Sequence, residues 1–352
     1  MKNVPTLEEL NCRGKQVIVR ADLDVKIDEN GAVSDDSRLL DLIPTLNKLF
    51  DLGATKIAVI GHMGRPEGMP NMQFSLKPVV EYLKNRYTPD TAFLEHRPRE
   101  IFYETYDQFS QTKERLVILE NLRFYKEEEA NDSAFAEELS YFGECFVNEA
   151  FASSHREHAS VSALPKIIKS KGEHLVAAGL RLEKEIIELS KLNPQSAHPI
   201  VFVISGLKED KLTFLTQFKE MADQVLIAGR LPEFMPEEQG DPKVLVARLN
   251  ADKEDITIHS IEQFEQIIAS AKTIFVSGPV GKFEEPGHRL GTQRVFEAIA
   301  KSVAWKAAGG GDTTAAINVL KLSESFDWIS CGGGASLEFV AKGTLPGIDA
   351  LV

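Results

Sequence analysis

Apolar residues along this chain follow two alternating rhythms: short β-branched runs, and longer stretches with a helical repeat. In the first half the runs are Gln16 to Arg20, Lys56 to Ile60, Leu116 to Leu119 and Cys145 to Val147. Each is strand-length and apolar at consecutive positions, the pattern of a strand covered on both faces. Between the first two, Leu39, Leu42, Ile43, Leu46, Leu49 and Phe50 share one face of Ser37 to Leu52, ahead of Gly53. This predicts an amphipathic helix closed by glycine, with a kink at Pro44. A further helix is predicted over Ser133 to Tyr141. The second half repeats the rhythm, with strands predicted at Ile200 to Ile204, Val225 to Ala228, Val244 to Ala247, Thr273 to Val276 and Trp328 to Cys331. Strand, helix, strand order implies parallel sheets with helices on both faces.

Leu180 to Leu192, rich in Leu, Glu and Lys and followed by Asn193-Pro194, predicts a connecting helix and then a break. The 352 residues exceed one ordinary core and suit two. The expected fold is therefore α/β, with two doubly wound, Rossmann-like parallel-sheet domains joined by a hinge helix. The expected divisions are a first domain over 1–170, a connecting segment over 171–193, a second domain over 194–336 and a terminal segment over 337–352.

Composition adds constraints of another kind. With 43% hydrophobic and 26% charged residues, both halves are expected to fold. A net charge of -13 argues against a nucleic-acid or anionic-membrane partner, so any anion site must be local. Cys12, Cys145 and Cys331 are widely spaced, which fits neither a disulfide framework nor a zinc site and points to a reducing compartment. The Met-Lys-Asn start lacks a leader-like apolar region, and no apolar run approaches the roughly 18 residues of a membrane span. A cytoplasmic protein is expected.

Parallel sheets collect ligands at the carboxyl ends of their strands, so the residues directly after each predicted strand define the available chemistry. After the first come Arg20, Asp22 and Asp24; after the second, Gly61, His62, Gly64 and Arg65; after the third, Glu120, Asn121 and Arg123; after the fourth, Asn148, Glu149, His155, Arg156 and His158. Guanidinium groups take phosphate and carboxylate through paired hydrogen bonds. Arg38, Arg65, Arg123 and Arg156 together thus read as a site for a small polyanion. Singly, any of them reads more readily as a surface ion-pair partner; the shared strand-end placement is what favours a ligand. Arg38 opens a helix, where the dipole does not favour a cation, and that supports the functional reading. His62, between two glycines and beside Arg65, reads as a ligand donor. His155 and His158 lack a third partner at metal-site spacing and read as hydrogen-bonding groups.

The second half carries glycine turns instead: Gly278-Pro279-Val280-Gly281, Gly309-Gly310-Gly311-Asp312-Thr313 and Gly332-Gly333-Gly334. Consecutive glycines let backbone amides approach phosphate oxygens, and a helix starting directly afterwards aims its positive end there. The P-loop and dinucleotide-binding glycine patterns are both absent. Asp312 reads either as a Mg²⁺ ligand shared with phosphates or as a helix cap. Lys208 and Lys211 stand where a lysine can neutralise a moving phosphoryl group, the alternative being a solvated charged turn.

In order, Arg20 with Asp22, Asp36 to Arg38, His62 to Pro66, Glu120 to Phe124, Val147 to Phe151 with His155-Arg156, Gly278 to Glu284, Gly309 to Thr313 and Gly332 to Glu338 resemble the motifs of phosphoglycerate kinase. The resemblance runs from about Val17 to Leu351. It implies reversible phosphoryl transfer between 1,3-bisphosphoglycerate and ADP, giving 3-phosphoglycerate and ATP, with Mg²⁺, by a hinge-bending monomer of glycolysis. By that likeness the first domain binds phosphoglycerate through Asp22, Asp24, His62, Arg65, Arg123 and Arg156. Arg38 and Lys208 would serve the transferring group, with Gly310 and Gly333 beside them. Lys211, Gly229, Pro279, Gly309, Gly310, Gly311 and Thr313 would hold the nucleotide, Glu284 its ribose, and Asp312 the metal. The terminal segment would return to the first domain.

The chain departs from the family at Asp24, where asparagine is usual, at Lys26, where proline is usual, and at Ser277, where asparagine is usual. The segment Ser205 to Lys211 is one residue short, the glycine-rich stretch after Ala228 is reduced to Gly229-Arg230-Leu231-Pro232, and the chain is shorter between Gly229 and Thr273. The acid-binding half therefore matches more closely than the nucleotide half. Two alternatives follow: a catalytically weak relative that binds phosphoglycerate as a sensor, and a kinase for a different phosphorylated acid that tolerates Asp24.

Overall fold

The structure is a computed structural model describing residues 3–95, 102–235 and 240–352. Its contacts divide into two compact units, Met1–Ile186 with Leu345–Val352, and Ile187–Thr344. The division falls inside the helix Leu180–Leu189, within the segment 171–193 expected to connect two domains.

The first unit holds strands β1 (Gln16–Arg20), β2 (Lys26–Ile27), β3 (Val33–Asp35), β4 (Lys56–Ile60), β5 (Thr91–Leu94), β6 (Leu116–Leu119), β7 (Cys145–Asn148) and β8 (Val176–Ala178). β2 and β3 form a separate antiparallel pair. The other six make a parallel sheet in the order β5-β6-β4-β1-β7-β8. Val17, Ile18 and Val19 of β1 are all buried, as a central strand covered on both faces requires. Register sets Arg20 opposite both Ile60 and Asn148. The segments after β1, β4 and β7 consequently leave the sheet at one edge.

The helix Ser37–Asp51 buries Leu39, Leu42, Leu46 and Leu49 and stops before Gly53, whose φ of 95° suits glycine. It passes through Pro44 as a single element, where a kink was expected. The second expected helix ends at Leu139 and tightens into a 3₁₀ turn over Ser140–Phe142.

The second unit contains β9 (Ile200–Gly206), β10 (Gln224–Gly229), β11 (Val244–Val246), β12 (Thr273–Ser277), β13 (Trp305–Gly309) and β14 (Trp328–Ser330). They form a parallel sheet in the order β11-β10-β9-β12-β13-β14. Phe202 packs edge-on against Phe218 and Phe275, with centroids 5.5 and 5.7 Å apart, and all three rings are buried. Truncating such a ring costs about 3–5 kcal/mol. Strands β2, β3, β5, β8 and β13 were not expected. Trp305-Lys306-Ala307-Ala308-Gly309 carries no β-branched residue, so sheet pairing on both sides decides its conformation.

Candidate functional site

At the carboxyl edge of the first sheet lies a group of cations that are largely withdrawn from water. Arg20 is fully buried. Its Nη2 lies 2.8 Å from His62 Nδ1, its Nε donates to Ser160 Oγ at 2.9 Å, and its Nη1 donates to the Ala21 carbonyl at 2.5 Å. Burial lowers the Arg20 pKa, while Glu128 and Asp22 raise it. Glu128, also fully buried, accepts from the Ser160 hydroxyl at 2.6 Å and from its N–H at 2.9 Å. Burial pushes this carboxyl up, with Arg20 opposing.

Arg123 is buried and donates through Nη1 to the Gly64 carbonyl at 2.8 Å. Its Nε stands 3.2 Å from Glu129 Oε1, an ion-pair distance without hydrogen-bond geometry, and its Nη2 has no hydrogen-bond partner among the described residues. Burial first, then the neighbouring Arg156, bring its pKa down to about 10. His62 lies well below the ordinary histidine range because it is buried beside Arg20, Arg123 and Arg156. His158 is lowered to about 3, by burial and then by the same arginines. Both imidazoles are therefore neutral at pH 7 and available for hydrogen bonding.

Asp22 is nearly buried and accepts from the Ala152 N–H and the Ser153 hydroxyl, each at 3.2 Å. Asp24 is exposed and its Oδ1 accepts from the Gly64 N–H at 2.9 Å. That bond satisfies one oxygen and places the carboxylate near Arg123. The structure thus gathers Arg20, Asp22, Asp24, His62, Arg123, Arg156 and His158. Arg38 stands in the first turn of its helix, and Arg65 is exposed directly after Gly64. Among the described residues, the guanidinium groups of Arg38, Arg65 and Arg156 make no hydrogen bond or ion pair with the protein.

The second unit presents a cleft of about 830 Å³ at the carboxyl ends of its strands. Of the expected residues, Lys208, Lys211, Gly229, Pro279, Glu284, Gly310, Gly311, Asp312, Thr313 and Gly333 line it. Gly309 instead ends β13 beneath the wall, where an added Cβ would fall 2.1 Å from Ser336 Oγ. The helices Gly311–Val319 and Gly333–Lys342 both start here, so two sets of unpaired N–H groups and two positive dipole ends share one edge. Gly310 has φ 120°, and a Cβ on Gly333 would come 3.1 Å from the Gly310 Cα. Thr313 Oγ1 donates to the Gly309 carbonyl at 2.8 Å and accepts from the Gly278 N–H at 2.7 Å, locking two of the turns together.

Lys211 donates to the Ser205 carbonyl at 2.5 Å, and burial lowers its pKa to about 8, with Asp210 and Asp312 opposing. Lys208 is exposed and makes no hydrogen bond or ion pair among the described residues. Sequence reasoning missed Arg230, Lys253, Glu254 and Lys282, which also line the cleft. It also missed the depth of Arg20 and its partnership with Glu128. Arg20 carries a local signal, a charge closing an apolar run; Glu128 sits in a run of three glutamates that reads as solvated surface.

An array of guanidinium donors at one parallel-sheet edge and a glycine-walled, dipole-focused cleft at another have the chemistry that suits phosphate-bearing ligands. Comparison with known proteins is more specific. A sequence model described as phosphoglycerate kinase matches residues 7–242 and 245–342. A phosphoglycerate kinase of Solibacter usitatus is 33% identical over 98% of this chain and 98% of its own, and one of Leptospira biflexa is 33% identical over 99% and 98%. Among solved structures, phosphoglycerate kinase from Coxiella burnetii superposes with a TM-score of 0.79 at 25% identity, covering 99% of each chain. That from Pyrococcus horikoshii gives 0.77 at 25% identity over 98% of each. The chain belongs to the phosphoglycerate kinase family and is a phosphotransferase.

Proposed function

We propose that the chain transfers a phosphoryl group reversibly between 1,3-bisphosphoglycerate and ADP, giving 3-phosphoglycerate and ATP. The observation that carries the acid side is the buried Nη2 of Arg123, which has no hydrogen-bond partner among the described residues, together with Arg38, Arg65 and Arg156, whose guanidinium groups form no ion pair there. A buried guanidinium N–H left unpaired is costly, and a phosphate or carboxylate oxygen satisfies it. Asp22 and neutral His62 would orient the glycerate hydroxyl and carboxylate. Asp24, already bonded to Gly64, would not oppose the anion at full strength.

In the direction of ATP use, a carboxylate oxygen of 3-phosphoglycerate forms a bond to the γ-phosphorus while the bond from that phosphorus to the bridging oxygen breaks, leaving ADP. Charge spreads over the equatorial oxygens in such a transfer, so positioning and cationic contacts supply the catalysis. Arg38 from the acid side, and Lys208 with the amides near Gly310 and Gly333 from the nucleotide side, are assigned to the moving group. Lys211, Gly229, Pro279, Gly309, Gly311 and Thr313 are assigned to the nucleotide and Glu284 to its ribose.

Asp312 is the carboxylate in the first turn of the helix Gly311–Val319, facing the cleft. Among the described residues no group of three or more His, Cys, Asp or Glu could hold a metal by themselves. That fits Mg²⁺, which takes one or two carboxylates and completes its shell with phosphates and water. When bound, it would neutralise charge on the β- and γ-phosphates. Hinge bending at Leu180–Leu189, a cytoplasmic location in keeping with three free thiols, and action as a monomer belong to the same reading. A coupled assay with 3-phosphoglycerate and MgATP tests it: turnover no greater than that of Arg38→Ala would overturn it.

A further inference from the structure

Glu149, the first residue after β7, is a nearly buried carboxyl group that the transfer does not use. Its side chain faces the start of the connecting helix. The N–H of Arg181 donates to both carboxyl oxygens at 3.2 Å, and that of Leu182 to Oε2 at 3.3 Å. Thr45 Oγ1 donates to Oε1 at 2.5 Å and in turn accepts from the Leu180 N–H at 3.0 Å. These are N–H groups that a helix cannot satisfy within itself. The packing has no slack, since a Cβ on Gly179 would fall 2.0 Å from Glu149 Oε2.

The backbone of Glu149 faces the acid site. Its N–H donates to the Arg20 carbonyl at 2.8 Å, and the Arg20 guanidinium reaches His62. Three and four residues further on, Ala152 and Ser153 hold Asp22. One short segment, 149–153, therefore touches both the groups assigned to the acid and the first turn of the helix that leads into the second unit. The charged groups around the carboxyl are Asp41, which raises its pKa, and Arg181, whose side chain is turned to Asp41 at 3.4 Å and to Glu185 at 2.9 Å. Burial is the main cause of a Glu149 pKa of about 8, so the hydrogen bonds do not repay the desolvation of the charged form. A simple cap has no need of such a site, because an exposed Ser or Asp serves as well.

We propose that Glu149 is a positioning residue through which occupation of the acid site tightens the first turn of the connecting helix. The proposal rests on the acid-site assignment above. It is tested on the full chain by amide hydrogen exchange at residues 181–182 with and without 3-phosphoglycerate, alongside calorimetric affinity for the acid. In the wild type the acid slows exchange there about fivefold or more, whereas Glu149→Gln and Thr45→Val bind the acid within about threefold yet show no slowing. Thr45→Ser, which keeps the hydroxyl, restores it. Slowing that persists in both variants, or a wild type that binds acid without slowing, overturns the proposal. So does loss of acid binding in the folded variants, because Glu149 would then shape the site itself. A wild type that binds no acid in the calorimeter overturns the acid-site assignment and this proposal with it. If Glu149→Gln does not fold, the Thr45 pair decides.

Discussion

By the assignment proposed above, the two units hold multiply charged anions at their sheet edges with opposite materials. The first uses long side chains and pays for them: Arg20 and Glu128 are fully buried, Arg123 is driven down to about 10, and two histidines are held neutral. The second uses backbone, with glycines that admit close approach and helix starts that supply N–H groups. Guanidinium groups add charge and directional hydrogen bonds to a small acid. Amides cradle a phosphate chain without the desolvation cost of buried cations. The acid edge is thereby sensitive to deletion of a side chain and the nucleotide edge to addition of one.

That contrast gives an ordered set of expectations. Arg38→Ala should lower kcat on the order of a thousandfold with little change in melting temperature, as for other cations on a transferring phosphoryl group. Equal losses in kcat from Arg38→Lys would show that charge alone is not enough at this position. Gly310→Ala forces a residue with a Cβ into φ 120°, within 3.0 Å of Thr313 Oγ1. The strain of about 1–3 kcal/mol should raise the KM for ATP by roughly tenfold or more, leaving calorimetric 3-phosphoglycerate affinity unchanged. A matching loss of acid affinity would break the division of labour.

A smaller effect separates the edges by pH. Lys211 has its pKa lowered to about 8 by burial, so it loses its charge as pH rises through that value, and ATP affinity should weaken between pH 7 and 9. Lys211→Arg should flatten the profile. Acid affinity over the same range should change by no more than about threefold, because His62 and His158 are already neutral and Glu149, which titrates in this range, bonds the connecting helix rather than the acid. A slope in acid affinity that follows the ATP slope would remove this distinction. The smallest effect is expected of Asp24→Asn, about threefold or less in KM for 3-phosphoglycerate, since an asparagine oxygen can still accept from Gly64.

What local sequence settled is the class of architecture and the order of its chemistry. Consecutive apolar residues in β1, β4, β6, β7 and β9 announce buried parallel strands, because a strand covered on both faces has no polar side to spare. The residues that follow those strands had to emerge at one edge, which made His62, Arg123 and Arg156 legible as companions. The glycine triplets before two helices were legible for the same reason, with phosphate-sized turns written in adjacent positions.

Tertiary structure decided which charges are buried and what they are for. Arg20 becomes a core residue through Ser160, 140 positions away, and Glu149 meets Thr45 across 104. No window of neighbouring residues contains those pairings. Likewise Trp305–Gly309 is a strand because it pairs with β12 and β14, its small residues giving no β signal of their own. Asp24, out of character with the family in the sequence, becomes intelligible once its carboxylate is seen to accept from Gly64. Periodicity and strand-end placement are local and survive in one dimension. Desolvation and hydrogen-bond satisfaction depend on every group within a few ångströms, and only the folded chain brings those groups together.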